Sequence, residues 1–311
     1  MSQFVSQPPS PLGSLDPHFG SHPPQYTSHP PHINTKIVAE YIWLDSNMNF
    51  RSKSRVLKLF ISHKPRNQLL TTYHNAVLLQ IPDWNYDGSS TGQAEGSDSE
   101  IMLKPVRLFY DPFRSGCDLL VWCETYLPDG SPTISNKRPY ANQIFEQHLN
   151  LEPWYGLEQE YFIINPDTNL PLGFEQENEL EPQGPYYCGI GTKYSFGRNL
   201  AETHLRLCMR ANINISGINA EVAPGQWEYQ IGPCTGIEAA DQLWVSRYIL
   251  ERIAEDQGYL ISFHPKPVAG NWNGSGCHTN FSTRQMREGV GNKKGLEFIY
   301  DAMKKLELRH D

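Results

Sequence analysis

The sequence predicts an α+β protein, and three observations carry that reading. The first is Gln226-Trp-Glu-Tyr-Gln-Ile231, where polar and apolar residues alternate with the period of a strand that has one polar face. The second is Trp154-Tyr-Gly-Leu-Glu-Gln-Glu-Tyr-Phe-Ile-Ile164, where Glu158 and Glu160, two residues apart, share a strand face. The third is that helical patterns alternate with such strands in the second half of the chain, whereas the part before about residue 130 reads as mostly β.

Residues 1–35 are rich in Pro, Ser and His and hold few aliphatic residues. They cannot repay the entropy of ordering, so a disordered tail is expected, its histidines incidental. Ile37–Leu44 has the β-branched and aromatic weight of a strand, Asp45-Ser-Asn47 has turn chemistry, and Phe50–Val56 is the expected second strand of a hairpin. Residues 57–81 show no clear period. Asp83–Gln93 is a loop that sets Asp87 among small polar residues; taken alone, Asp87-Gly88 reads as an ordinary turn. Val106–Tyr110 and Leu119–Tyr126 are strands that close the first part near residue 130.

Helices are expected over 140–149, over 199–211 with Asn199 as N-cap and Leu200, Leu207 and Ala211 on one face, over 237–257 with Gly258 as the stop, and over 294–309. Gly184–Gly197 is glycine-rich and aromatic but fits neither the P-loop nor the dinucleotide fingerprint.

The net charge of −8 and the pI near 5.8 argue against nucleic acid as the main partner. No apolar run of spanning length and no signal layout occur, so no membrane is expected. The six cysteines form no CxxC pair, which suits free thiols in a reducing cytoplasm and makes cysteine-bound zinc improbable.

Chemistry concentrates on the polar strand faces. Glu221 and Glu228 flank Pro224-Gly225, and His278, Asn280 and Ser282 share one face of a further strand. If the strands are neighbours, four glutamates and one histidine converge. Like charges held away from water are unfavourable unless cations join them. Oxygen-rich ligands with one imidazole favour Mg²⁺ or Mn²⁺ over zinc. The alternative is that each glutamate is solvated at a sheet edge; three strands with the same polar device weigh against it.

The chain resembles the eukaryotic-type glutamine synthetases. The resemblance rests on Ala39-Glu-Tyr-Ile-Trp, Trp84-Asn-Tyr-Asp-Gly-Ser-Ser-Thr-Gly-Gln, Asp111-Pro-Phe-Arg, Asn136-Lys-Arg, Pro153-Trp-Tyr-Gly-Leu-Glu-Gln-Glu-Tyr, Gln183-Gly-Pro-Tyr-Tyr-Cys and Asn214-Ile-Ser-Gly-Ile-Asn-Ala-Glu. Further matches are Gly225-Gln-Trp-Glu-Tyr-Gln-Ile-Gly-Pro, Phe263-His-Pro-Lys-Pro, Gly270-Asn-Trp-Asn-Gly-Ser-Gly-Cys-His-Thr-Asn-Phe-Ser and Met286-Arg-Glu. Together they run from about residue 36 to 310, apart from 57–81. The resemblance implies an N-terminal β-grasp domain (36–130, with an atypical insert at 57–81) and a catalytic domain (131–311) built on a curved antiparallel sheet with helices. It implies glutamine formation from L-glutamate, ammonia and ATP with Mg²⁺ or Mn²⁺, in homo-oligomeric rings whose active sites are shared between subunits in the cytoplasm. Carried over by motif, Glu158, Glu160, Glu221, Glu228 and His278 are the implied metal ligands, and Asp87 the ammonium-binding group that reaches a neighbour's site. Asn271, Trp272 and Gly274 are implied at the glutamate. Glu158, Glu228, Tyr229, Gln230, Ile231, Gly232, Pro233, Asn280, Phe281 and Ser282 are implied along ATP.

Two departures from the family pattern stand out. The sequence stops at Asp311, before the stretch that carries the family's phosphoryl- and carboxylate-binding arginines, another metal-binding glutamate and a flap glutamate. Residues 57–81 do not match the short family linker. The expectation that follows is a truncated or mis-spliced product, and the alternative function is a non-catalytic structural or assembly subunit.

Overall fold

The computed structural model describes residues 35–59, 70, 74–114, 116–174 and 180–310. The tail expected to be disordered lies outside the described residues except for Thr35, and so do residues 60–69 and 71–73 of the stretch that showed no period.

β1 (Thr35–Leu44) and β2 (Phe50–Leu59) pair antiparallel along their full lengths. β2 is longer than expected, because Leu57, Lys58 and Leu59 complete it and Leu59 is buried. With β3 (Trp84–Asp87), β4 (Glu100–Tyr110) and β5 (Leu119–Tyr126) they form a five-stranded sheet in the order β2-β1-β5-β4-β3. β1 and β5 run parallel at its centre, as a β-grasp sheet requires. One face packs Tyr41, Trp43, Leu103 and Val121 against Leu70, Val77 and Ile81, so part of the unplaced stretch supplies core. The other face sends Ile42, Leu120 and Trp122 into the main core. Burial on both faces explains why β1 and β5 read as near-continuous apolar runs rather than alternating ones.

The second sheet is antiparallel and built around β6 (Trp154–Asn165). β9 (Gln226–Thr235) lies on one side of it, with β8 (Ile215–Ala220) beyond. β11 (Cys277–Ser282) and β10 (Leu260–Ser262) share its other side, and the short β7 (Leu170–Pro171) pairs with the end of β6 on the β9 side. α1 (Arg138–Gln147) precedes β6. α2 (Arg198–Arg210) and α3 (Glu238–Gln257) cover the apolar back of the sheet, where Tyr161, Trp227, Tyr229, Val245 and Ile249 interlock. α3 also meets the first sheet through Tyr248 and Trp244. α4 (Arg284–Glu288) and α5 (Gly295–Glu307) follow β11, and Leu296, Tyr300, Met303 and Leu306 of α5 are exposed.

Two helix starts differ from the expectations. α2 is capped by Gly197, not Asn199, because Gly197 adopts a left-handed φ of 82°. That positive φ favours glycine, and a Cβ there would also displace the Ile163 Cδ1, 2.3 Å away. α1 begins two residues early, at Arg138, since Pro139 is well placed in a first turn.

Candidate metal and nucleotide site on the second sheet

The pleat sorts the side chains. β6 turns Glu158 and Glu160 to one face and Leu157, Gln159 and Tyr161 to the other; β9 turns Gln226, Glu228 and Gln230 to the first face and buries Trp227, Tyr229 and Ile231. Register then decides the neighbours. Glu160 lies opposite Glu228, Glu158 opposite Gln230 and opposite His278 of β11, and Asn219 of β8 opposite Glu228. Glu221 follows β8 and enters the same space. The turn that returns the chain to β9 needs Gly225, at φ 67°, where a Cβ would sit 2.7 Å from the Leu172 carbonyl oxygen.

Carboxylate oxygens of Glu160, Glu221 and Glu228 thus lie within 4.8 Å of one another. Glu158 stands at the edge of this triad, with its Oε2 3.4 Å from His278 Nδ1 and its Oε1 accepting from Asn280 Nδ2 at 2.5 Å. The donors reaching the triad are neutral. Glu160 Oε2 accepts from the Gly276 N–H (2.7 Å), Glu221 from Asn219 Nδ2 (3.0 Å) and the Val222 N–H (3.2 Å), and Glu228 from Gln230 Nε2. Among the described residues no lysine or arginine pairs with these three acids, although Glu40, Glu124 and Asp241 elsewhere all have arginines. Burial pushes the Glu221 and Glu228 carboxyls above their usual range; the charge of Glu160 raises both further, as does that of Glu228 on Glu221 and of Glu158 on Glu228. Three buried acids on oxygen-rich walls, with an imidazole at the rim, fit a hard divalent cation such as Mg²⁺ or Mn²⁺.

Beside the triad a cleft of about 460 Å³ runs between β6, β9 and β11. Glu158, Gln230, Ile231, Gly232, Pro233, Asn280, Phe281 and Ser282 all line it. Tyr229 does not: its ring is in the core against His204, and its hydroxyl meets Ser246 Oγ at 2.9 Å, as the alternation of β9 demands. The loop holding Asn271, Trp272 and Gly274 is tied to the polar face, since Gln226 Nε2 donates to the Gly274 carbonyl at 2.8 Å. Trp272 packs edge-on against Phe174 and Asn271 is exposed.

Asp87 is on the other sheet. It ends β3, caps a short 3-10 turn and accepts from the Ser89 N–H (3.0 Å) and Oγ (2.6 Å). These donors hold its exposed carboxyl below the usual range. Its bonding partners belong to its own loop and not to the second sheet. Two anchors escaped the sequence reading: Gly276, whose backbone holds Glu160, and Asn219, which bonds Glu221 and accepts from Gln230 at 2.8 Å. Their only signal was adjacency to the polar strands.

Residues 138–294 match the family model for the glutamine synthetase catalytic domain. Glutamine synthetase cytosolic isozyme 1-1 of Oryza sativa subsp. japonica is 51% identical over 278 residues, covering 88% of this chain and 73% of that protein. The chloroplastic glutamine synthetase of the same plant is 49% identical, covering 89% of this chain and 61% of the relative. The solved GmaS/ADP complex, at 17% identity, shares the fold with a TM-score of 0.59 over 79% of this chain and 53% of that one. No described helix is long and apolar enough to cross a membrane. The triad and its cleft lie within the matched segment, and with half its residues identical to a rice enzyme over 88% of its length, this chain belongs to the glutamine synthetase family.

Proposed function

We propose that this chain joins ammonia to the side-chain carboxylate of L-glutamate at the expense of ATP, through a γ-glutamyl phosphate. The observation that carries this is the unpaired triad Glu160, Glu221 and Glu228 at the end of a nucleotide-sized cleft, in a chain of this family. Glu160, Glu221 and Glu228, with Glu158 and His278 at the rim, would hold Mg²⁺ or Mn²⁺. Bound there, the cation would neutralise phosphate charge during phosphoryl transfer. The cleft side chains from Gln230 to Pro233 and Asn280 to Ser282 would enclose ATP and exclude water. The Asn271–Gly274 loop, fixed by Gln226, would orient glutamate so that its carboxylate faces the γ-phosphoryl group.

Asp87 would bind ammonium and take its proton, delivering ammonia to the acyl phosphate. Its carboxyl is exposed and held anionic by Ser89, which suits a group presented to another subunit's glutamate cluster. A ring of copies that share sites is the assembly this requires, and the cytoplasm is the proposed compartment.

The test is ATP- and Mg²⁺-dependent glutamine formation by the purified chain, with Glu160→Ala as control. Turnover lost in the control supports the reading. A folded chain that binds nucleotide and Mn²⁺ yet makes no glutamine overturns it in favour of a non-catalytic subunit.

A further inference from the structure

Between Glu158 and Glu160, on the opposite face of β6, lies Gln159, only 2% exposed. A buried primary amide is costly unless its donors and acceptor are all engaged. Here they are. Gln159 Nε2 donates to the Glu160 carbonyl (2.6 Å) and the Gly276 carbonyl (3.2 Å). Its Oε1 accepts from Arg247 Nε at 2.9 Å and from Arg247 Nη2. The Gly276 carbonyl also accepts from the Glu160 N–H (3.0 Å), and the Gly276 N–H donates to Glu160 Oε2 (2.7 Å). A chain of contacts therefore leads from the guanidinium on α3, through the amide to the Gly276 carbonyl, and across the Gly276 backbone to its N–H and one oxygen of the triad.

Arg247 is unusual among the partly buried arginines. Its guanidinium faces the rings of Trp244 (4.9 Å) and Phe263 (5.0 Å), and among the described residues no carboxylate lies within 4.0 Å of it. It directs two parallel N–H groups at a neutral oxygen. That choice fixes the amide's orientation, because only the Gln159 nitrogen can then face two carbonyls.

We infer that Gln159 and Arg247 are positioning residues for Glu160: they anchor Gly276 by its carbonyl, hold in place the residue whose N–H bonds the carboxylate, and so set the affinity of the triad for a divalent cation. The inference rests on the triad's being a cation site, as proposed above. It concerns residues that touch neither cation nor substrate and act through a backbone group.

The experiment is Mn²⁺ titration of the full chain by electron paramagnetic resonance, alongside thermal unfolding in chelator. Gln159→Leu and Arg247→Met should each raise the Mn²⁺ Kd by about tenfold or more, the usual consequence of losing a group that orients a ligand. The double variant should lose little beyond either single one, because both break the same path. Arg247→Lys keeps the charge but not the parallel pair, and should fall between parent and Arg247→Met. It also serves if the larger changes fail to fold. Gln159→Glu keeps the acceptor for Arg247 while removing both donations, and should weaken Mn²⁺ as Gln159→Leu does. Cooperatively unfolding variants with the parental Kd would overturn the inference alone. A parent that binds no Mn²⁺ would remove the cation site itself and this inference with it.

Discussion

Two groups of buried acids, one where α3 meets the first sheet and one on the polar face of the second sheet, are treated in opposite ways. Glu40 of β1, Glu124 of β5 and Asp241 of α3, at 3%, 7% and 1% exposure, form the first group. Glu160, Glu221 and Glu228, at 9%, 8% and 9%, form the second. Burial is nearly the same; countercharge is not. Asp241 receives Arg138 through two bonds of 2.7 Å while the same guanidinium meets Glu124 at 2.8 Å. Glu40 receives Arg114 at 2.6 Å, Arg252 at 3.3 Å and the Tyr248 hydroxyl at 2.5 Å. The fold can supply arginines where acids are structural. Withholding them from the triad leaves a charge that something from outside must balance, which separates a joint from a site.

Breaking the site should have the largest effect on function. Glu160→Ala should lower glutamine formation by roughly a thousandfold or more, since a catalytic cation contributes several kcal/mol. Turnover near the parental rate would erase the distinction drawn here. Breaking the joint should dominate stability. Arg138→Met strands Asp241 without a partner, leaves Glu124 only the Tyr126 hydroxyl, and should cost about 3–5 kcal/mol in denaturant unfolding. The mirror change, Glu228→Gln, should instead stabilise the cation-free chain, on the order of 1 kcal/mol, by removing one like charge. A destabilised Glu228→Gln would mean that the triad is internally satisfied.

Acid should act on the joint in a defined direction. Burial pushes the Glu40 carboxyl up, but Tyr248 and Arg114 outweigh it and hold the group below its ordinary 4.5. A depressed folded value means that the unfolded chain binds the proton first. The stability Glu40 supplies is therefore full above about pH 4.5 and is lost as pH falls through the depressed folded value. The stability gap between parent and Glu40→Gln should narrow over that acid range and stay flat from pH 6 to 8. The smallest effect belongs to a solvated pair: Arg284→Ala, which loses a 3.0 Å contact to the half-exposed Glu152, should cost less than about 1 kcal/mol.

Much of the second sheet was legible because β6 and β9 carry period-2 patterns whose polar faces hold the acids. β8 was not, since Gly217 and a register shift at Ile215/Gly217 break its alternation, and β10 has only three residues. The faces of Glu158, Glu160 and Glu228 could be read locally; their neighbours could not, because register is fixed by pairing between distant strands. The triad and the Glu158–His278 pair are therefore resolved only in the fold. Arg247 was invisible for the same reason: it lies 88 residues from Gln159, and nothing near either marks the other. Asn199 misled as a cap because the left-handed turn two residues earlier had already started the helix.

The place of α3 has a consequence for how the chain comes into being. The first sheet is complete in hydrogen bonds when β5 ends at Tyr126, yet Ile42, Leu120 and Trp122 find their cover on a helix that starts at Glu238. As the polypeptide leaves the ribosome from its N-terminus, that apolar face stands wetted until α3 emerges. Such an intermediate is a natural client for a chaperone, and nascent chains halted between these two points should be the most prone to aggregate.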